Sequence, residues 1–519
     1  MEADVQSLSD IIGLENLVTD ATELEYAAQD YFARGDQPLA IARPQSIEAL
    51  SKLVAAATSQ GLAIFPRGGG YSYTNGYLPT RPGITIDLQG LNRIIEINAD
   101  DMFVTVEAGC TWAALDAALK PLGLRTPFWG PFSGLNATVG GGVSQGSISW
   151  GSSRYGVSSE SVLDLEIVCA NGTRVRTGAS GQPGHSPFFR NYGPDLTGIF
   201  LSDCGALGIK ATITLKLMRR PAHSLGLSFA FPSLEEGVAA AADVARENVV
   251  TDTVGVLAAR ARAAATKQSL AKDLKALWKI GQTGVGVFDS VKRMARVALA
   301  GRRFLEDLDF TFHFIVEGPN RETVAAHAKT VRDAIAGRGL EIANTIPTMM
   351  RAEPFQKYDM LNEAGQRQLP PSTILPLSRV IGFHTAFFAA IAPLADEMAK
   401  SSMNVFPVFA TIGTTGFLYE PVIAWNDAPE LFHRRHTKPA LIAQIEDRKP
   451  DPEARALAAQ IRQIMIDLSF QMGGIHLQIG KIYPLLRERD ATATALLHDI
   501  KRRTDPDGLL NPGALGMGL

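Results

Sequence analysis

The sequence predicts an α+β chain of more than one domain, and three observations carry that prediction. Its 519 residues exceed what one small core organises and suggest two or three domains. Short β-branched runs such as Phe103-Val104-Thr105-Val106 alternate with amphipathic helical stretches along the whole chain. Two glycine-dense segments, Phe65–Gly76 and Gly130–Gly146, interrupt the strand pattern. Backbone this rich in glycine passes close to a flat or anionic ligand and turns several N–H groups toward it. Two such segments joined by strands suggest one extended ligand gripped along its length.

The elements follow in order. Residues 1–35 read as helical, ending near Gly35. Pro44-Gln45-Ser46 opens an amphipathic helix through Ala57, with Ser46 as N-cap and Glu48 in the first turn. Ala63–Pro66 is a strand leading into the first glycine segment. Ile84–Leu88, Ile94–Ile97 and Phe103–Val106 are strands, and Thr111–Leu122 is a helix. After the second glycine segment come the strand Val162–Val168, a hairpin turn at Ala170–Thr173, and the strand Ala211–Leu217. From about Ser224 the style changes. Strand Ser224–Phe231 precedes an alanine-rich helix, Leu234–Asn248, and strand Asp309–Val316 precedes helix Arg321–Gly337. Strands with helices laid on one face predict a second α+β domain. From Gly473 a return segment reads as a strand, a helix over Ala491–Arg503, and the tail Asp505–Gly513.

Composition narrows the functional classes. Hydrophobic content of 46% and charged content of 20% are ordinary for a globular protein. A net charge of −3 argues against a general nucleic-acid binder, which needs a broad cationic face. Cys110, Cys169 and Cys204 have neither disulfide nor zinc spacing and read as buried thiols. The start Met1-Glu2-Ala3-Asp4 is acidic where a secretion signal is basic, and no apolar run is long enough to span a membrane, so a cytosolic protein is expected. Arg260–Arg303 carries eleven basic residues against two acids. With Leu270, Leu274, Leu277 and Trp278 interleaved, it suits an anionic membrane, an acidic redox partner, a solvated basic face or a subunit contact.

Four segments, Arg67–Gly76, Gly130–Gly156, Gly193–Phe200 with Gly205–Ile209, and Asp505–Gly513, together resemble the vanillyl-alcohol-oxidase and p-cresol-methylhydroxylase type of FAD-linked oxidoreductases. The likeness covers 40–218 and 470–519 well and the middle loosely. It implies a PCMH-type, two-subdomain FAD-binding domain at 36–218, preceded by a helical segment at 1–35. A cap domain with an antiparallel sheet would occupy 219–470, and 471–519 would complete the FAD site. It also implies FAD contacts at Pro66, Arg67, Gly68, Gly69, Gly70, Tyr71 and Ser72 in the first loop. In the second it implies Pro131, Asn136, Thr138, Val139, Gly140, Gly141, Gly142, Ser144, Gln145 and Tyr155, with Gly208, Ile209 and Asn511 beyond. Tyr71 stands where other branches link flavin through His, and Leu369–Pro376 contains no His, so non-covalent FAD is expected.

A flavin oxidation moves hydride from an alcohol or benzylic carbon to the ring, while the protein lays that carbon on the ring and handles charge on the substrate oxygen. Phenol-oxidising relatives hold a phenolate with tyrosines and an Arg. Tyr73 is near the matching tyrosine, but Ile475-His476 replaces the Tyr-Arg pair, and no Asp or Glu occurs from Pro121 through Ser159. His476 is therefore the expected base, because imidazole titrates near neutral pH, with Tyr73 and Tyr483 beside it. Lys481 supports them, and Arg351, Tyr358, Arg379, His384 and Tyr419 are expected in the substrate pocket. The reading is an FAD-dependent oxidase or dehydrogenase acting on an aromatic small molecule, with dioxygen or a redox protein as acceptor and a homo-oligomeric assembly. Its alternatives are a D-2-hydroxy-acid dehydrogenase feeding a quinone or cytochrome, disfavoured by Cys204 in place of Glu, and a non-catalytic flavin-fold scaffold subunit.

Overall fold

The computed structural model describes residues 5–257, 310–357 and 359–517, so the basic stretch 260–303 and Tyr358 lie outside the described residues. The first apolar runs form a sheet of β1 (Leu17–Val18), β2 (Ala40–Ala42), β3 (Ala63–Arg67) and β4 (Gly83–Asp87), ordered β1-β2-β4-β3. β4 runs parallel to both β2 and β3. Parallel neighbours need a crossover, and helix Ile47–Ser59 lies in the link from β2 to β3. Ser46 caps it by accepting the Ala49 N–H at 3.1 Å, as its sequence predicts. Leu50, Leu53, Val54 and Ala57 share the buried stripe that meets Ile64, Ile84 and Ile86. The leading segment is less helical than expected. Ser9–Ile12 and Ala21–Ala27 are helices, but β1 between them pairs antiparallel with β2.

The second sheet collects β5 (Ile94–Asn98), β6 (Phe103–Glu107), β8 (Val162–Val168), β9 (Arg174–Arg176) and β10 (Ile209–Lys216), ordered β5-β6-β10-β8-β9. All its pairings are antiparallel, and β7 (Leu124–Arg125) pairs with β11 (Met218–Arg219) beside it. The third is an eight-stranded sheet of β12 (His223–Phe231), β13 (Val250–Leu257), β14 (Phe310–Gly318), β15 (Leu340–Ile342), β16 (Gln366–Leu369), β17 (Thr373–Pro376), β18 (Asn404–Ile412) and β19 (Gly416–Asn426). Its path is β15-β12-β14-β13-β18-β19-β16, antiparallel throughout, with β17 also on β19. Helices Leu234–Arg246, Arg321–Ile335 and Val380–Ile391 join one face of this sheet in a core rich in Phe312, Phe314, Phe409, Phe417 and Tyr419. Side chains alternate along a strand, so Leu418, Glu420 and Val422 of β19 and Val408, Ala410 and Ile412 of β18 point to the opposite face.

The return segment closes the fold differently from its sequence reading. Helix Ala491–Thr504 forms as expected, but Gly474–Tyr483 is not a strand. One antiparallel bridge joins Ile475 to Ile374, after which Gln478 and Gly480 take φ of 54° and 55° and the chain bends toward the two glycine segments. There the Gln478 N–H donates to the Gln145 carbonyl and the Lys481 N–H to the Thr74 carbonyl, each at 2.9 Å. The tail then adds to β3: the Ile64 N–H donates to Leu509 and the Asn511 N–H to Ile64, each at 2.8 Å. Among the described residues no helix is long and apolar enough to cross a membrane.

Candidate active site

A cavity of about 660 Å³ runs from the two glycine segments to the open face of the eight-stranded sheet. Its first wall is Pro66, Gly68, Gly69, Gly70, Tyr71, Ser72 and Tyr73. Its second is Pro131, Thr138, Gly140, Gly141, Gly142, Ser144 and Gln145, and Gly208 and Ile209 line it as well. The second glycine segment is not an open loop. Val139–Gln145 is helical, although three glycines oppose it by about 1 kcal/mol each. Thr138 caps it, accepting the Gly141 N–H at 3.2 Å, and packing explains the composition. A Cβ on Gly142 would stand 2.7 Å from Trp112 Nε1, and one on Gly140 2.7 Å from Ala108 Cβ. The two segments also touch. A Cβ on Gly69 would run into the Asn136 carbonyl, and one on Gly68 into the Thr138 hydroxyl.

The consequence is chemical. The N–H groups of Gly68, Gly69, Gly70 and Ser72 find no acceptor among the described residues, and all four residues line the cavity. Such an array of bare donors on a backbone concavity fits a diphosphate. Five expected cofactor residues sit behind this wall rather than on it. The Arg67 guanidinium lies 4.4 Å from the ring centre of Tyr26 and 5.1 Å from that of Tyr77. Asn136 Nδ2 donates to the Tyr71 hydroxyl at 2.6 Å, and that hydroxyl also meets His436 Nδ1 at 3.1 Å. Val139 is core, and Tyr155 lies beside Arg154. Asn511 is fully buried: its Nδ2 donates to the carbonyls of Gly76 and Cys204 at 2.7 and 2.6 Å, and its Oδ1 accepts from Lys481 at 2.8 Å. It latches the tail onto the first loop.

The expected catalytic and substrate residues divide sharply. Tyr73 lines the cavity; burial, and secondarily the Glu420 carboxyl, hold its phenol well above the usual range, while the Gln478 side chain hydrogen-bonds to it. His476 is not a lining residue. Its Nδ1–H donates to the Ser372 carbonyl at 2.7 Å, and its ring stacks on Tyr483, whose hydroxyl accepts the Ser372 N–H at 2.9 Å. Lys481 is spent on Leu78 and Asn511, and burial lowers its ammonium to about 7. Arg351 is held by Glu317, with Asp252 3.8 Å away. Arg379 is exposed at the start of helix Val380–Ile391. His384 Nδ1 meets the Tyr419 hydroxyl at 2.9 Å on the helix-covered side of the sheet, the wrong side for the cavity because Tyr419 is one residue out of phase with Glu420.

Other side chains take those places. Tyr31, Gln368, Phe132, Trp150, Phe432 and Glu420 line the cavity. The Tyr31 hydroxyl accepts the Gln368 N–H at 3.0 Å. Among the described lining residues the sole cation is Lys210, which is ion-paired with Asp203 beside Gly208 and Ile209. Burial raises the Glu420 carboxyl to about 8. A lone acid within the apolar run Gly416–Trp425 was the signal that could have singled it out. No cluster of three His, Cys, Asp or Glu side chains suited to a metal occurs among the described residues.

Comparison with known proteins places this geometry. Residues 38–178 match the FAD binding domain family, and residues 220–515, more than half of the chain, match the C-terminal domain of FAD-linked oxidases. The glycolate oxidase subunit GlcD of Bacillus subtilis is 26% identical over 253 residues, 49% of this chain and 52% of that one. The mitochondrial D-lactate dehydrogenase [cytochrome] of Arabidopsis thaliana is 30% identical over 234 residues, 44% of this chain and 39% of that one. These alignments thus span about half the length of the relatives or less. In fold, the chain superposes on substrate-bound p-cresol methylhydroxylase with a TM-score of 0.72 at 18% identity, covering 99% of this chain and 96% of that one. The 4-ethylphenol oxidase of Gulosibacter chungangensis gives 0.71 at 18%, with the same coverage.

Proposed function

We propose, starting from a chain that belongs to the FAD-linked oxidases, that it takes hydride from an alcohol or benzylic C–H of an uncharged, aromatic small molecule. FAD is its cofactor, and when bound it supplies the hydride acceptor. Gly68, Gly69, Gly70 and Ser72 would hold the diphosphate, with Gly140–Gly142 across from them and Gly208 and Ile209 toward the far end. Asn511 would act from behind by fixing the first loop.

The observation that carries the substrate reading is the absence of a free cation on the described cavity wall. A carboxylate taken out of water needs a charged or multiply donating partner, and leaving it without one costs several kcal/mol. Phe132, Trp150 and Phe432 instead offer aromatic surface, and Tyr73, Gln478, Gln368 and Glu420 offer a few hydrogen bonds. That is the lining of a pocket for a largely apolar molecule with one or two hydroxyl groups. What the curated relatives are named for, glycolate and D-lactate, favours a second reading, a D-2-hydroxy acid. The two readings separate in one experiment. Flavin absorbance is followed anaerobically as 4-hydroxybenzyl alcohol, benzyl alcohol, D-lactate and glycolate are added in turn, with dioxygen and a dye as acceptors in parallel runs. Bleaching by the uncharged alcohols is expected, and bleaching by D-lactate or glycolate alone replaces the first reading with the second.

A further inference from the structure

We propose that Glu420 is the proton acceptor of this site, the group that takes the hydroxyl proton of the substrate as hydride leaves its carbon; this rests on the reading of an uncharged hydroxyl donor given above. The first support is position. Glu420 lies on β19 between Leu418 and Val422, all three on the sheet face that floors the cavity, while Phe417 and Tyr419 enter the core behind. The second is vacancy. Glu420, half-buried, has no hydrogen-bond or ion-pair partner among the described residues, so its carboxyl is open to whatever occupies the cavity. The third is elimination. No histidine is among the described lining residues, and the other lining carboxylate, Asp252, is held as a buried counter-charge: its Oδ1 accepts the Gly151 N–H at 2.7 Å, and its Oδ2, which makes no hydrogen bond, faces Arg351 at 3.8 Å.

Opposite charge states divide the work. Burial and the nearby carboxyl keep the Tyr73 phenol protonated, so it donates a hydrogen bond. Glu420, once ionised, accepts one. The titratable groups that face Glu420 are Tyr73 from the first loop and Tyr483 from the return segment, both neutral across the working range. A hydroxyl oxygen between Tyr73 and Glu420 therefore meets a donor on one side and an acceptor on the other. In the reaction the Glu420 carboxylate would take the substrate O–H proton while FAD, when bound, would supply the acceptor for the hydride leaving the carbon, so that the C–O single bond becomes C=O. One proton on Glu420 and one hydride on the acceptor balance the two hydrogens lost. Since burial holds the resting acid at about 8, the active fraction grows with pH, reaching half at about that value.

The test is anaerobic stopped-flow reduction of the holoprotein by 4-hydroxybenzyl alcohol and benzyl alcohol, from about pH 6 to about pH 10, in wild type, Glu420→Gln and Glu420→Asp. In wild type the rate of bleaching rises with pH, passes half its maximum near pH 8 and levels off above about pH 9. Glu420→Gln lowers it by about 10² or more and flattens the profile, the scale of a lost general base. Glu420→Asp, which keeps the carboxyl but withdraws it by one methylene, restores a pH-dependent rate between the two. Flavin absorbance and circular dichroism establish that each variant is folded and loaded; if Glu420→Gln is not, a pH-independent rate in wild type or in Glu420→Asp overturns the assignment by itself. Bleaching by an uncharged alcohol that Glu420→Gln leaves unchanged overturns the role of Glu420 alone. Bleaching by D-lactate with none by the uncharged alcohols overturns the substrate reading beneath it.

Discussion

The imidazole of His476 lies flat on the phenol ring of Tyr483, with ring centres 4.1 Å apart and planes within 3°. Together with the Ser372 carbonyl that fixes Nδ1, this stack commits the histidine to the wall of the site rather than to its interior. His476→Phe therefore keeps flavin reduction within about threefold of wild type, while His476→Ala loses about 1–3 kcal/mol of stability through the cavity it leaves. Stopped-flow reduction and urea unfolding of both variants check the pair. A hundredfold slower His476→Phe would return the base to the imidazole.

Arg125 and Glu317, 1% and 2% exposed, meet at 2.7 Å across the junction of the cofactor domain and the eight-stranded sheet, and Arg351 approaches the same carboxylate. Glu317→Gln leaves one buried and one half-buried guanidinium facing a neutral amide. Removing one partner from such a buried set costs about 3–5 kcal/mol. The midpoint of thermal unfolding should fall accordingly, and a shift within error of wild type would show that solvent already reaches the cluster.

Gly69→Ala places a methyl group against the Asn136 carbonyl, so one glycine segment must back away from the other. The expected result is at least a tenfold weaker hold on FAD, about 1.4 kcal/mol, with the secondary structure intact. Equilibrium dialysis of the flavin measures it. In wild type the cofactor should leave with acid or heat; flavin that stays with the precipitated chain would reveal a covalent bond.

The carboxyl of Glu420 is raised by burial from 4.5 to about 8. Between those values the folded chain holds a proton that the unfolded chain has released, so stability falls as pH rises across that window and is flat above it. Glu420→Gln lacks this loss. Its urea midpoint should gain on wild type from about pH 5 to about pH 8, and parallel curves would contradict the burial of this acid.

Much of the fold was legible because local chemistry decides it. Ser46, Thr111 and Asp490 cap the helices that their sequences announce, and β-branched runs became strands at β4, β6 and β8. The glycine loops that line the cavity were legible too, since glycine clusters report close approach of backbone to something. What stayed hidden was set by tertiary contact. Val139–Gln145 turned helical because Trp112 and Ala108 leave no room for side chains, which propensity cannot foresee. Arg351, Arg379, His384 and Tyr419 are pocket residues by type, yet an ion pair, solvent exposure or strand phase removes each from the cavity. Glu420 and Tyr31 reach it from the eight-stranded sheet and from the leading segment, places with no motif to mark them.

The bridge between Ile64 and Leu510 ties residues separated by most of the polypeptide, and Asn511 reaches Gly76 only once it is made. During synthesis, a chain still lacking these residues exposes a half-built cleft whose first loop has nothing behind it. Loading of the yellow coenzyme must accordingly wait until residues 509–511 have left the ribosome, and a stop near codon 500 would yield a colourless chain.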